Sequence, residues 1–241
     1  MSVRTLRKKS QGWDEELGDK ENPFSTNKVT GHSLNYPIIG TCKPTIVCSD
    51  RCYFAKGPSA WDASLRKQWR LHTSTTNDPD RTAGLIVAWT ARLKLSFVRW
   101  NGGGDLFRKS VECINTAAPL MPDVPQWIVT RIPDLASLIE PGPNVYLHFS
   151  IDRSSLGRLD EFKPRAGLKW FWSYQCDKDE TAPPHPDVAP VIFRDGYDLR
   201  GSQAGPNDCP LNTSDSIVGA CGACRRCFNG DAVSRAKECR I

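Results

Sequence analysis

The sequence lacks any apolar run of about eighteen residues, which a membrane-spanning helix needs, so neither a transmembrane helix nor a membrane partner is expected. Basic residues are frequent at the start of the chain, but no apolar segment follows them, so we do not expect a secretory signal. Without such a signal, the ten cysteines favour a reducing cytoplasm and metal ligation over a disulfide framework.

Motifs of the common hydrolases and nucleotide-binding proteins are also missing. The four histidines are scattered, and the chain has no His-x-x-x-His pair, no phosphate-binding P-loop and no serine nucleophile elbow. The net charge of +5 is mild, so it gives only weak support for a nucleic-acid partner. What the chain has instead is two groups of closely spaced cysteines.

The C-terminal cysteine group comprises Cys209, Cys221, Cys224 and Cys227. Its last three members form a Cys-x-x-Cys-x-x-Cys run, a spacing that lets one loop place three thiolates on a cubane cluster, with Cys209 as the candidate fourth ligand. A structural zinc ion is the alternative, although zinc sites usually use two separated Cys-x-x-Cys pairs. The spacing therefore predicts a 4Fe-4S site.

The N-terminal cysteine group, Cys42, Cys48 and Cys52, has the spacing C-x5-C-x3-C. Buried structural cysteines are the alternative, but charged neighbours indicate a loop rather than a core segment. Three thiolates leave one iron of a cubane without a protein ligand, so that iron is open to a fourth cysteine, water or S-adenosylmethionine. The spacing does not determine the number of clusters. Either each cysteine group holds one cluster, or the two groups share a single cluster.

Short apolar runs alternate with helical patterns in the middle of the chain. Strands are predicted at 95–99, 127–131, 144–151, 169–174 and 190–193, and helices at 59–72, 81–94 and 106–117. This alternation predicts an α/β fold with a parallel sheet covered by helices. The predicted organisation is a flexible polar arm at 1–30, the sheet domain at 31–200 and a cysteine-rich cluster-binding segment at 201–241.

Polar residues follow the predicted strands, at the edge where parallel sheets carry their chemistry. Consecutive glycines ending at Gly103 and Gly104 precede Asp105, so the backbone can approach a ligand while the carboxylate accepts hydrogen bonds. The alternative is a tight turn in which Asp105 caps the next helix. The candidates at the other strand ends are Arg99, Arg131, Ser150 and Asp152.

Over residues 27–230 the sequence resembles the bacteriophage family labelled gene product 88. The segments that carry the resemblance are 27–31, Cys42 to Tyr53, Arg99 to Leu106, Phe149 to Ser155 and the terminal cysteine run, in this order. The resemblance implies a small phage-encoded iron–sulfur protein of the host cytoplasm.

More loosely, the layout resembles radical S-adenosylmethionine enzymes, which have a partial (β/α) barrel with three cluster cysteines after its first strand. For this chain the resemblance implies a cluster on the N-terminal cysteine group, and the C-terminal group then resembles an auxiliary cluster. The spacing C-x5-C-x3-C departs from the C-x3-C-x2-C of that family. The implied cofactor residues are Gly103, Gly104 and Asp105 at the methionyl end, and Ser150 and Asp152 at the ribose.

Two hypotheses of function follow. The first is an iron–sulfur enzyme of the radical S-adenosylmethionine type that acts on an unknown substrate, with Arg99 and Arg131 as candidate catalytic residues. The second is a non-catalytic module whose cluster is structural or redox-sensing, and which acts on a host protein or nucleic acid. The sequence carries no signature of the substrate or of the oligomeric state.

Overall fold

The computed structural model describes residues 12–27, 30–50, 52–176, 191–194, 209, 221 and 224–228. Its strands are β1 (Ser25–Asn27), β2 (Gly31–Asn35), β3 (Val98–Gly103), β4 (Gln126–Thr130), β5 (Val145–Asp152), β6 (Lys169–Cys176) and β7 (Val191–Arg194). Its α-helices are α1 (Ile38–Thr41), α2 (Ile46–Asp50), α3 (Asp62–Asn77), α4 (Pro79–Arg92), α5 (Arg108–Ala117) and α6 (Pro133–Ala136).

All seven strands belong to one sheet, in the order in which they occur in the chain. β1 is antiparallel to β2, and every neighbouring pair from β2 to β7 is parallel. The longest register joins β5 to β6, from Tyr146 opposite Lys169 to Asp152 opposite Gln175. Because each parallel strand lies beside its predecessor, right-handed crossovers place the connecting helices on one face and the strand carboxyl ends at one edge.

The long helices begin at recognisable sequence signals. Asp62 lies in the first turn of α3, where an acid interacts favourably with the helix dipole. Asp78 caps α4, because its carboxylate accepts the backbone N–H of Arg81 at 2.9 Å, and Pro79 occupies the first helical position. At the start of α5, the backbone N–H of Phe107 donates to Ser110 Oγ at 2.9 Å.

Alternate strand residues face the helices and form the main core. Trp100, Ile128, Leu147 and Phe149 are almost fully buried there, together with Ile114 of α5. Burial on both faces of β4 and β5 accounts for their apolar, weakly alternating sequences.

The opposite side of the sheet, which we call the second face, is also covered. Phe97, Trp127, Tyr146 and Phe171 form a separate aromatic cluster there, and Phe228 from the C-terminal segment packs into it. The Phe97 and Phe228 rings are stacked, with centroids 4.4 Å apart. The aromatic cluster therefore joins residues more than a hundred positions apart in sequence, and it fixes the C-terminal segment on the sheet.

Residues 12–27, which the sequence analysis assigned to an N-terminal arm, run along the two long helices. Leu17 and Phe24 are buried in the main core. Arg81 of α4 donates to Asp19 at 2.7 Å and to the Leu17 carbonyl at 2.8 Å, and Arg70 of α3 donates to Glu21 at 2.6 Å. These contacts attach residues 12–27 to the helix layer.

The predicted α/β fold with a mostly parallel sheet is confirmed. The five predicted strands correspond to β3 through β7 and the three predicted helices to α3, α4 and α5, with ends that differ by a few residues. β1 and β2 were not predicted. The described strands pair in the order β1 to β7. No pairing of β7 with β1 is seen among them, so the predicted barrel is not confirmed. None of the described helices is long and apolar enough to cross a membrane.

Candidate functional site

The N-terminal cysteine group lies at the carboxyl edge of the sheet. Cys42 follows α1, Cys48 lies in α2, and Cys52 precedes a short 3-10 turn, so all three belong to the loop that leaves β2. Their thiols are free and their side chains are half-buried. The loop prediction for this segment agrees with this placement.

Hydrogen bonds dock this cysteine loop on the ends of β3 and β5. The Thr45 hydroxyl donates to Asp152 Oδ2 and also accepts the backbone N–H of Cys48 at 3.1 Å. The Tyr53 hydroxyl donates to the Gly102 carbonyl at 2.6 Å. Two strand ends that are far apart in sequence therefore position the segment between Cys42 and Cys52.

The glycines after β3 are required by this docking. A Cβ on Gly103 would lie 2.1 Å from the Phe54 ring, and one on Gly104 would lie 2.6 Å from the Tyr36 carbonyl. Gly104 also has φ +80°, a conformation that favours glycine. The glycine run therefore allows the protein's own cysteine loop to approach the end of β3 closely.

Asp105 ties β3 to β4. Its carboxylate accepts from the Thr130 hydroxyl at 2.6 Å, from the Leu106 backbone N–H at 2.7 Å and from the Arg131 backbone N–H at 3.1 Å. Burial raises the pKa of Asp105 to about 6, although these hydrogen bonds act in the opposite direction. Helix α5 starts three residues later and takes its N-terminal hydrogen bond from Ser110, so Asp105 does not cap it.

Asp152 and Arg131 form a buried ion pair at the same edge. Arg131 donates to Asp152 Oδ2 at 2.8 Å and to Gln175 Oε1 at 2.7 Å, which links the ends of β4, β5 and β6. Burial acts to raise the pKa of Asp152, but hydrogen bonds from Ser154 and Thr45 and the charge of Arg131 outweigh it and lower that pKa. Asp152 is therefore a fixed anion in the middle of the site.

The thiols at this edge are electrostatically coupled. Burial is the largest cause of the raised pKa of Cys42, and the negative charges of Asp105 and of the other two cysteines raise this pKa further. Burial also raises the pKa of Cys48, while Arg131 lowers it. Among the described residues, no three His, Cys, Asp or Glu side chains stand in a position to hold a metal ion together. The arrangement is a set of neighbouring thiols and carboxylates around one arginine.

The C-terminal cysteine group lies elsewhere, on the second face. Cys221 and Cys227 pack against the aromatic cluster, near the starts of β4 and β5 rather than their ends. The Cys227 carbonyl lies 2.6 Å from His148 Nε2, and His148 Nδ1 lies 2.9 Å from Ser173 Oγ. Cys209 and Cys224 are buried, and Cys224 is disulfide-bonded, whereas Cys209, Cys221 and Cys227 are in no disulfide bond.

The remaining predicted site residues divide between these two regions. Arg131 and Asp152 lie in the edge network, and Ser150 is half-buried two residues before Asp152 on β5. Arg99 lies on β3 with its guanidinium 4.7 Å above the Trp127 ring, on the second face. The two arginines that were predicted to face one substrate therefore sit in different surroundings.

The roles of three residues that organise the site were not predicted from the sequence. These residues are Thr45, Thr130 and His148. Thr45 and Thr130 have no local signal, because their partners Asp152 and Asp105 are supplied by other strands. His148 belongs to no histidine motif; it is fully buried, and it contacts the C-terminal segment through the Cys227 carbonyl.

Comparison with known proteins bears on the whole chain. A sequence model of the family described as Gene product 88 matches residues 4–230. The chain belongs to the gene product 88 family. No curated protein and no solved structure shows a significant match. Membership confirms the whole-chain resemblance, while the gene product 88 description names neither an iron–sulfur cluster nor S-adenosylmethionine, so both stay predictions.

Proposed function

We propose that this gene product 88 protein binds a 4Fe-4S cluster through Cys42, Cys48 and Cys52. The observation that supports the proposal is the position of these three free thiols in one loop at the carboxyl edge of a parallel sheet. Ligands of α/β proteins bind at this edge. Holding the cluster requires the loop to bring the three thiols within ligating distance of one metal centre.

The electrostatics of the edge favour a cationic group between the thiols. Burial raises the pKa of Cys42 and of Cys48, and Asp105 and Asp152 add to the effect on Cys48. An iron–sulfur core would offset this effect, because its positive charge stabilises the thiolates, and the thiol protons are released to solvent on ligation. Arg131 and the Thr45 hydroxyl hold Asp152 in place by hydrogen bonds, so the positive charge of the cluster core would lie beside a rigidly held carboxylate.

In the same proposal, the C-terminal cysteines supply a second metal site or the missing ligand of the first. Cys209, Cys221 and Cys227 are in no disulfide bond, and reduction of the Cys224 disulfide by an external dithiol would release the fourth thiol. Their location near the strand starts favours two separate sites over one shared cluster.

S-adenosylmethionine is the proposed occupant of the open iron, which makes the protein an enzyme of the radical type. A reduced 4Fe-4S cluster with one such iron supplies a single electron to the bound molecule. On the protein side, the ring of Phe54 must leave Gly103 before a ligand reaches the glycine run, because the ring fills the space above it. Asp105 would then hold the methionyl amine, and Ser150 and Asp152 would hold the ribose.

A non-catalytic module is the second candidate. It is favoured by the way in which His148 and the aromatic cluster hold the C-terminal cysteines against the sheet, because that contact is suited to a structural metal. Without its metal, such a module is expected to lose part of its fold.

The test is the iron, sulfide and zinc content of protein purified without oxygen, with absorption and electron paramagnetic resonance spectra. We compare wild type with a triple variant of the N-terminal group (C42A, C48A, C52A). Cys113, which is buried in α5 and belongs to neither group, supplies the matched control C113A. The proposal predicts about four or about eight irons in wild type and in C113A, and about four fewer in the triple variant.

Zinc without sulfide would refute the cluster and leave the structural module. If the cluster is present and reducible, cleavage of S-adenosylmethionine distinguishes the two candidates, and complete absence of cleavage eliminates the radical enzyme. The F54A variant opens the space above Gly103, and it is expected to bind S-adenosylmethionine more tightly than wild type if the glycine run is the binding site.

A further inference from the structure

Three buried polar atoms on neighbouring strands have no hydrogen-bond partner. They are Arg99 Nε and Asn101 Oδ1 on β3 and Trp127 Nε1 on β4. Arg99 and Trp127 are register partners, and the Asn101 amide nitrogen donates to the Val129 carbonyl at 2.9 Å, two residues along β4. Unsatisfied buried polar atoms are uncommon and costly, so three together call for an explanation.

The guanidinium of Arg99 is the most unusual member. It lies 4.7 Å above the Trp127 ring, and its buried Nε has no hydrogen-bond partner among the described residues. The buried arginine at the sheet edge, Arg131, by contrast donates to both Asp152 and Gln175. A buried N–H group without an acceptor costs free energy, which a ligand oxygen in the right place would recover.

The backbone beside these atoms is also irregular. The register between β2 and β3 shifts, with Ser33 opposite Arg99 but Asn35 opposite Gly103, so β3 bulges between these two pairs. Asn101 lies in the bulge at φ +53°, a left-handed conformation, and only 6% of it is exposed. Bulges and left-handed residues redirect side chains and recur beside binding sites.

We propose that Arg99, Asn101 and Trp127 bind the oxyanion end of a small molecule on the second face of the sheet. Arg99 and Trp127 donate to a carboxylate or phosphate oxygen through their free N–H groups, and Asn101 Oδ1 accepts from a neighbouring hydroxyl or amine of the same ligand. A hydroxy acid or an amino acid has both features on adjacent atoms. The inference goes beyond the iron–sulfur proposal and does not depend on it, because none of its three residues is a cysteine.

The main rival partner of Arg99 is the thiol of Cys221, with which it interacts electrostatically. In that case Arg99 is part of the C-terminal cysteine site and its removal destabilises the fold. In the proposed oxyanion site, the unpaired Nε of Arg99 destabilises the protein when no ligand is bound. Replacing Arg99 with an apolar side chain of similar length therefore removes that cost. The two interpretations predict opposite signs for the stability of R99M.

The first measurement is urea unfolding of the full chain as purified, for wild type, R99M and R92M. Arg92 is the matched control, since its guanidinium lies 4.5 Å above the Trp89 ring but is exposed on α4. We expect the unfolding midpoint of R99M to equal or exceed that of wild type, while R92M unfolds at a slightly lower midpoint through loss of its cation–π contact. A clearly lower midpoint for R99M would overturn the proposal.

The second measurement follows the indole N–H of Trp127 by ¹H–¹⁵N NMR, with W127F identifying the signal. Sodium glycolate, acetate and phosphate are titrated at constant ionic strength against chloride, because salt alone weakens electrostatic binding. We expect a saturable shift with at least one oxyanion, at least tenfold weaker binding in R99M and unchanged binding in R92M. Stronger binding of glycolate than acetate supports the acceptor role of Asn101, and tighter phosphate identifies a phosphate ligand. No saturable shift, or equal binding in R99M, refutes the site.

Discussion

The guanidinium of Arg131 donates to the carboxylate of Asp152 at 2.8 Å, and this pair connects the ends of two neighbouring parallel strands. The Asp152 side chain is fully buried and that of Arg131 is 10% exposed. Asp152 also accepts from Thr45 in the cysteine loop. One buried carboxylate therefore holds both the sheet edge and the loop that carries the N-terminal cysteines.

Replacing Asp152 with asparagine should destabilise the protein by about 3–5 kcal/mol, because the substitution leaves the Arg131 charge buried without its partner. The measurement is the free energy of unfolding in urea. The matched control is E161Q, which breaks the exposed Arg158–Glu161 pair and should change stability by at most about 0.5 kcal/mol. Equal effects of the two substitutions would show that the buried pair contributes no more than a surface one.

The two edge carboxylates should give opposite pH dependences. Asp105 has a pKa raised to about 6 from 3.8, so the folded state holds its proton more tightly, and its contribution to stability is lost as the pH rises from about 4 to 6. The difference corresponds to roughly 3 kcal/mol. Asp152 has a lowered pKa, so its contribution is present above about pH 4 and is lost as the pH falls below that value.

Unfolding free energies of wild type, D105N and D152N between pH 3 and 7.5 test this difference. Relative to wild type, D105N should gain stability as the pH rises from 4 to 6. The unfolding free energy of D152N should come closest to that of wild type at the acid end of the range. A difference between wild type and D105N that stays flat across pH 4 to 6 would mean that Asp105 titrates at its ordinary pKa.

The strands were predictable where both faces are buried. β4 to β6 have apolar runs, because helices cover one face and the aromatic cluster covers much of the other. β2, with the sequence Gly-His-Ser-Leu-Asn, has neither an apolar run nor a regular alternation. It is a strand because its register with β1 and β3 provides its hydrogen bonds, and local sequence does not encode those partners.

The site was predictable as a list of residues but not as an arrangement. The glycine run, Asp105, Arg131 and Asp152 all lie at the predicted strand ends. Their partners, such as Phe54 above Gly103 and Thr130 beside Asp105, come from segments 25 or more residues away. Arg99 is separated from Arg131 because β3 continues to Gly103, so Arg99 lies near the start of the strand, opposite Trp127, and not at its end.

Substituting Gly103 with alanine should displace the cysteine loop, because the new Cβ would meet the Phe54 ring at 2.1 Å. We expect a loss of about 1–3 kcal/mol in unfolding free energy. Gly84 of α4 is exposed with nothing within 4 Å, so the control G84A should be neutral or stabilising by up to about 1 kcal/mol. Adding F54A to G103A should recover part of the loss relative to the sum of the single effects, and strict additivity would rule out the contact as the cause.

Substituting His148 with leucine should release the C-terminal cysteine segment from the sheet. His148 is fully buried, and it bridges the Cys227 carbonyl and the Ser173 hydroxyl, so an apolar replacement leaves both groups without this partner. Arg225 is exposed in the same segment, which makes trypsin cleavage there a local probe. A loss of about 1.4 kcal/mol in docking corresponds to roughly tenfold faster cleavage under native conditions.

H72L is the matched control, because His72 lies in α3 and packs against Phe107 on the helix side, with ring centroids 4.6 Å apart. Its substitution should leave the rate of cleavage after Arg225 unchanged at equal global stability. Since the His148 bond is made to a backbone carbonyl, removing the neighbouring thiol with C227A should not speed cleavage as H148L does. Fast cleavage in C227A together with slow cleavage in H148L would assign the docking to the thiol rather than to the histidine.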